Sequence, residues 1–174
     1  MSEDRRIKHT KERIYKAMLE CLITTKPENI TVTEICEKAD INRSTFYAHY
    51  KDPIELYKKI EAEALDEIFI YMTSLENDHA DYLDFLVKIL TYISSHSSEY
   101  LALLKVGSSS FKKRNMDILE RQEFKLSHIS KEDMFYASEF YINGMFALLS
   151  KWLEDGIKET PEYMAKLIYN ITAK

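Results

Sequence analysis

Glycine and proline are nearly absent: the 174-residue chain contains three of each. Sandwiches, barrels and Rossmann units draw heavily on turn and phosphate-loop glycines, so this scarcity excludes them and predicts long helices with few connections. The expected fold class is all-α. Cysteine is as scarce. Cys21 and Cys36 fall inside apolar patterns and no CxxC occurs; a disulfide scaffold would be denser, so both read as buried thiols. No stretch approaches the ~18 uncharged apolar residues of a membrane span. The charged opening lacks the apolar region of a secretory signal. A cytoplasmic protein with no membrane partner is expected.

Reaction chemistry is missing as well. His79, His96 and His128 lie far apart with no HExxH pattern, and no nucleophile elbow or phosphate loop occurs. Paired acids such as Asp81 and Asp84, or Glu159 and Glu162, read as solvated. The sequence therefore predicts no catalytic residues, no metal, no cofactor and no enzyme activity.

What is present is apolar and charged: 45% hydrophobic and 30% charged residues, with a net charge of −5. The charge is uneven. Residues 1–60 carry 12 basic and 10 acidic side chains, whereas residues 61–174 carry 12 and 19. That change of sign suggests two domains, 1–52 and 53–174.

Helical periodicity runs through nearly the whole chain, and about nine helices are expected. Ile14, Met18 and Leu22 mark a first helix from His9 to Thr25, stopped by Pro27. Thr31 and Glu34 form a capping-box pattern ahead of Ile35, Cys36 and Ala39. Asn42 is placed to cap a second short helix, Arg43 to His49, with Ile41 and Phe46 at hydrophobic-staple spacing. Asp52-Pro53-Ile54-Glu55 is a strong start signal for a long helix to about Ser74. Further helices are expected over Asp78–Ser94, Ser97–Leu104, Ser110–Leu126, Lys131–Asp155 and from Pro161 onward.

The helix from Lys131 to Asp155 is apolar on more sides than one neighbour requires. Its third stripe is Ala137, Phe140, Gly144, Ala147 and Ser150, and a glycine in mid-helix suggests close backbone approach. These residues, with Met164 and Ile168 of the last helix, are the expected homodimer interface. The Lys112-Lys113-Arg114 run is followed by Asp117, Glu120 and Glu123 and reads as a solvated face.

Two short capped helices across a tight turn, after a longer helix, fit a helix-turn-helix. Arg43, Ser44, Thr45 and Tyr47 point outward from its second helix, with His49 and Lys51 beyond. Arginine can read guanine edges and hydroxyls can donate or accept, while Tyr47 and Lys51 suit phosphates. An ordinary helical corner with solvated polar residues has the same spacing.

The residues Ile14, Ala17, Ile30-Thr31-Val32-Thr33-Glu34-Ile35, Ala39, Ile41 and the run Ser44-Thr45-Phe46-Tyr47-Ala48-His49-Tyr50-Lys51-Asp52, closing on Leu56, carry a resemblance. Residues 11 to 60 resemble the N-terminal domain of the TetR/AcrR family of transcriptional regulators. Three departures from the family pattern are Asp40, Ser44 and the vicinity of Lys26, where glycine is usual. Phe140 to Gly156 and Thr160-Pro161-Glu162-Tyr163-Met164 resemble the regulatory domain of a subgroup from low-GC Gram-positive bacteria, one relative of which is linked to dihydroxyacetone kinase operons.

The resemblance implies an N-terminal three-helix DNA-binding domain joined to a C-terminal helical bundle for dimerisation and regulation. It implies base reading by Arg43, Ser44 and Thr45, and phosphate contacts by Thr31, Thr33, Tyr47, His49 and Lys51. A homodimer would meet a near-palindromic double-stranded operator and act as a repressor. An apolar or aromatic effector, or a protein co-regulator, would act on the acidic domain. Tyr92, Phe111, Phe135 and Tyr141 are the expected effector-pocket residues, although large rings also build cores and interfaces. The alternative function is a protein-interaction dimer that keeps the fold with weak or no specific DNA binding.

Overall fold

The computed structural model describes residues 3–76, 81–107, 130 and 132–172. Eight α-helices and one 3₁₀ turn lie among them, with no strand, and the all-α expectation holds. The helix anticipated over 110–126 lies outside the described residues, as do Phe111 and the Lys112–Arg114 run. The chain divides into two compact units, Met1–Ala64 and Leu65–Lys174.

In the first unit, α1 (Glu3–Leu22) begins earlier than its apolar periodicity, extended by a charged first turn and a half. The chain then makes a 3₁₀ turn at Pro27–Asn29 and enters α2 (Val32–Ala39) and α3 (Arg43–Tyr47). Helix α4 (Pro53–Glu76) begins here and ends in the second unit. α2 packs on both α1 and α3. Ile14, Met18, Ile35, Phe46, Leu56 and Ile60 form a core that excludes solvent almost completely. Full burial of each such side chain is worth about 1.5–3 kcal/mol.

Helix starts follow the sequence closely where a side chain can accept an N–H. The Thr31 hydroxyl accepts from Glu34 N at 3.2 Å, and the Glu34 carboxylate accepts from Thr31 N at 2.8 Å, a complete capping box. At α4, Asp52 Oδ1 accepts from Glu55 N at 2.8 Å, while Glu55 reaches one residue further back, to Lys51 N. Asn42 departs from expectation. It stands at the N-cap of α3 without a side-chain bond, and α3 ends at Tyr47 rather than at His49.

The second unit contains α5 (Tyr82–Ser95), α6 (Ser97–Val106), α7 (Met134–Glu154) and α8 (Pro161–Thr172). α5 packs along α8, and α6 packs on α7. Leu90, Ala102, Leu103, Trp152, Ala165 and Ile168 are its most enclosed residues. The Ser130 hydroxyl donates to the Asp133 carboxylate at 2.8 Å and accepts from Asp133 N at 3.1 Å. That turn precedes the helix, and α7 starts at Met134 rather than Lys131. Gly156 terminates α7 in the left-handed region at φ 81°. Trp152 Nε1 donates to the Glu159 carbonyl at 3.0 Å, tying the end of α7 to the segment before α8.

Candidate nucleic-acid interface

The turn between α2 and α3 decides what α3 presents. Asp40 ends α2 in the left-handed region, at φ 48° and ψ 57°. Its N–H bonds the Glu37 carbonyl and the next N–H, of Ile41, bonds Cys36 at 3.0 Å. This is the closure that glycine ordinarily supplies. Aspartate occupies it here with support from α1: Arg13 Nη2 donates to the Asp40 carbonyl at 2.6 Å and to its carboxylate at 2.9 Å. Arg13 lies off the apolar face of α1, 27 residues away, and no sequence signal pairs it with the turn.

Phe46 anchors α3 with its ring fully buried, against Tyr47 edge-on at 5.7 Å and Tyr50 at 5.8 Å. With that side inward, Arg43 and Ser44 are exposed, Tyr47 is 57% exposed and Thr45 is partly covered. The Thr45 N–H bonds the Asn42 carbonyl at 3.0 Å. His49 is half-buried beside Tyr50, and Lys51 is exposed just ahead of α4. Arg43, Ser44 and Tyr47 of α3 and Lys51 just beyond it are thus all exposed, presenting guanidinium, hydroxyl, phenol and ammonium groups. That chemistry suits base edges and phosphates.

The two threonines of α2 are differently committed. The Thr31 hydroxyl both accepts from Glu34 N and donates to Glu34 Oε2 at 2.8 Å. Its hydrogen is spent on the cap. Those Thr31 bonds, backbone first and hydroxyl second, hold the Glu34 carboxyl below its ordinary range, with Lys38 adding a smaller pull. The Thr33 hydroxyl instead accepts from Arg43 Nη2 at 2.6 Å. An open groove of about 480 Å³ lies elsewhere in this unit, walled by Lys8, Lys11, Lys16 and Lys59 and also by Glu12 and Glu63, a lining of mixed sign with an excess of positive charge.

The three described residues expected to line an effector pocket have different ring neighbours. Tyr92 stacks on Tyr71 at 4.7 Å, lies 4.4 Å from the His96 ring and donates to Glu67 at 3.4 Å. Burial, then the nearby Glu67, raises the Tyr92 pKa. Phe135 is exposed beside Tyr136, and Tyr141 is partly buried beside Phe140.

The expected dimer residues divide by exposure. Phe140, Gly144 and Ala147 are exposed, while Ala137 and Ser150 are partly covered. Among the described residues, a Cβ built on Gly144 meets nothing within 4 Å, so none of them makes a close backbone approach there. Met164 and Ile168 face inward, into the chain's own core; Tyr163, Leu167 and Ile171 are the exposed apolar residues of α8. Periodicity identified the apolar side of α8 without revealing that α5 covers it.

Residues 80–174 match a family model of TetR type described as a transcriptional regulator C-terminal region. The chain belongs to the TetR family of transcriptional regulators. Among its relatives, the HTH-type transcriptional regulator YxbF of Bacillus subtilis strain 168 is 30% identical over 144 residues, which cover 80% of this chain and 33% of YxbF. The chain thus spans about a third of that relative's length. The structure of a TetR transcriptional regulator from Streptococcus agalactiae 2603V is 25% identical, with a TM-score of 0.65 over 98% of this chain and 97% of that one. The fatty acid degradation regulator FadR of Bacillus halodurans shares the TetR fold at 12% identity and a TM-score of 0.68, with 94% of each chain covered. The dihydroxyacetone kinase operon activator DhaS does so at 20% and 0.56, again with 94% of each covered. Among the described residues, no group of three or more His, Cys, Asp or Glu is disposed to hold a metal ion, and no helix is long and apolar enough to cross a membrane.

Proposed function

We propose that this TetR-family chain acts as a homodimer that binds a near-palindromic operator and represses the adjoining genes. The observation that carries this reading is the exposed corner of α3: Arg43, Ser44 and Tyr47 face out because Phe46 is buried behind them. Arg43, Ser44 and Thr45 read bases, while Tyr47, Lys51, His49, Thr31 and Thr33 contact the phosphate backbone. Of the last two, Thr33 retains a hydroxyl hydrogen to donate and Thr31 offers its helix start alone.

The dimer forms through the exposed stripe Phe140, Gly144 and Ala147, set at i, i+4 and i+7 on α7, with Tyr163, Leu167 and Ile171 of α8. Exposed Tyr136, one turn before Phe140, extends the same apolar surface, which supports a partner better than a solvated face. Met164 and Ile168 sit behind this interface rather than in it. An apolar or aromatic effector binds in the second unit near Tyr92 and Tyr141, with Phe111 and Phe135 as further candidate contacts. Effector binding shifts the population of dimers whose two α3 helices span one helical turn of DNA, about 34–36 Å. Helix α4, whose residues belong to both units, carries that change.

Selection of duplexes from sheared genomic DNA at ~0.15 M salt tests the proposal, because nonspecific electrostatic binding is damped there. The expected result is an enriched near-palindrome that Arg43→Ala no longer discriminates. Tyr47→Phe with Lys51→Ala should weaken all duplexes and reduce the salt slope. A folded dimer that enriches no sequence would overturn operator binding and favour a protein partner for the acidic second unit. A reporter gene fused to the enriched site reads the sign of regulation; DhaS, an operon activator, has the same fold.

A further inference from the structure

We propose that Thr33 is a positioning residue that sets the Arg43 guanidinium for base reading, an inference that rests on the operator-binding role proposed above. Thr33 is the second residue of α2 and Arg43 the first of α3, and the 2.6 Å bond crosses the turn between them. Arg43 is exposed and its helix start carries no side-chain cap from Asn42. An untethered arginine there would lose most of its rotamer freedom on meeting a base. The Thr33 hydroxyl removes part of that loss in advance, because α2 is itself fixed by the Thr31–Glu34 box and by buried Ile35.

The donor count permits this. A guanidinium has five N–H donors in a rigid fork, so one spent on Thr33 leaves four, enough for a bidentate pair with guanine. The threonine oxygen accepts from Arg43 and keeps its own hydrogen, which can donate to a phosphate oxygen. One hydroxyl therefore couples the contact that sets register on the backbone to the side chain that reads sequence.

The test measures Kd on the enriched operator and on a scrambled duplex at ~0.15 M salt. It uses the intact dimer and Thr33→Val, Thr33→Ser, Arg43→Ala and the Thr33→Val/Arg43→Ala pair. Thr33→Val should lower the operator-to-scrambled ratio by about tenfold, the low end of the scale of one hydrogen bond to a charged group, and Thr33→Ser should keep it within about twofold. The salt slope stays unchanged, since threonine carries no charge. In the Arg43→Ala background, Thr33→Val should leave the ratio where Arg43→Ala alone put it. A ratio that Thr33→Val leaves intact or raises, while Arg43→Ala lowers it, overturns positioning and leaves base reading standing. An equal Thr33→Val effect in both backgrounds does the same. If Arg43→Ala leaves the ratio unchanged, or no sequence is enriched at all, base reading itself falls and the inference with it. Thr33→Ala carries the same expectation as Thr33→Val and replaces it should the latter lose its thermal transition.

Discussion

Each unit closes one helix with the same pair of backbone bonds, yet with a different residue. In the first unit the N–H of Asp40 bonds Glu37 and that of Ile41 bonds Cys36; in the second, Gly156 bonds Leu153 and Ile157 bonds Trp152. Both closures need a left-handed residue, which costs an ordinary side chain about 1–2 kcal/mol. Glycine meets the requirement locally. Aspartate meets it with Arg13 on its carbonyl and carboxylate, so the same local shape rests on a contact 27 residues away. The units differ in the same sense on their surfaces. In the first, the exposed groups of α3 are mainly polar, with the Tyr47 phenol among them, whereas the second exposes Phe135, Tyr136, Phe140, Tyr163 and Ile171. One unit thus presents mainly polar groups on α3, and the other exposed rings on α7 and α8.

The largest expected effect breaks the first unit from within. Phe46→Ala should cost about 3–5 kcal/mol in urea unfolding, since the ring is fully buried. Phe140→Asp, at a ring 76% exposed, should leave chain stability within about 0.5 kcal/mol and convert dimer to monomer in sedimentation velocity. A monomer–dimer balance untouched by Phe140→Asp would erase the contrast between the surfaces.

The two closures separate next. Gly156→Ala should destabilise by about 1–2 kcal/mol in thermal unfolding, although a Cβ there meets nothing within 4 Å, because φ rather than space is the obstacle. Thr31→Ala should cost about 1 kcal/mol by removing the cap of α2. Glu34, the other half of that box, has a lowered pKa. Its stabilisation is therefore present above the unfolded carboxylate pKa and lost as pH falls through the lower folded value. A stability–pH profile of Glu34→Gln should be flatter than wild type across that acid interval. The smallest effect is that of Asp40→Gly, below about 1 kcal/mol. Glycine relieves the left-handed cost while the exposed carboxylate loses a screened ion pair, and the carbonyl bond to Arg13 survives. A large loss would mean that the Asp40 carboxylate, not its backbone, holds the turn.

Most helices were legible because their signals are local. Thr31 with Glu34, Asp52 with Pro53 and Gly156 each act within four residues, so the starts of α2 and α4 and the end of α7 follow from composition. Asn42 shows the limit: a good capping residue makes no side-chain bond when α3 starts without it. Gly144 shows another, since a mid-helix glycine suggests close approach and none of the described residues approaches it.

Sequence alone was enough to make this chain all-helical and to outline its helix-turn-helix, because turn scarcity, apolar periodicity and capping residues act over a few positions. Tertiary structure decided the rest. It placed Arg13 under Asp40, tied Arg43 to Thr33, and buried Met164 and Ile168 beneath α5's contact with α8 while leaving Phe140 outside. Those outcomes depend on which helix faces which, and a 3.6-residue period specifies an apolar side without naming what will cover it.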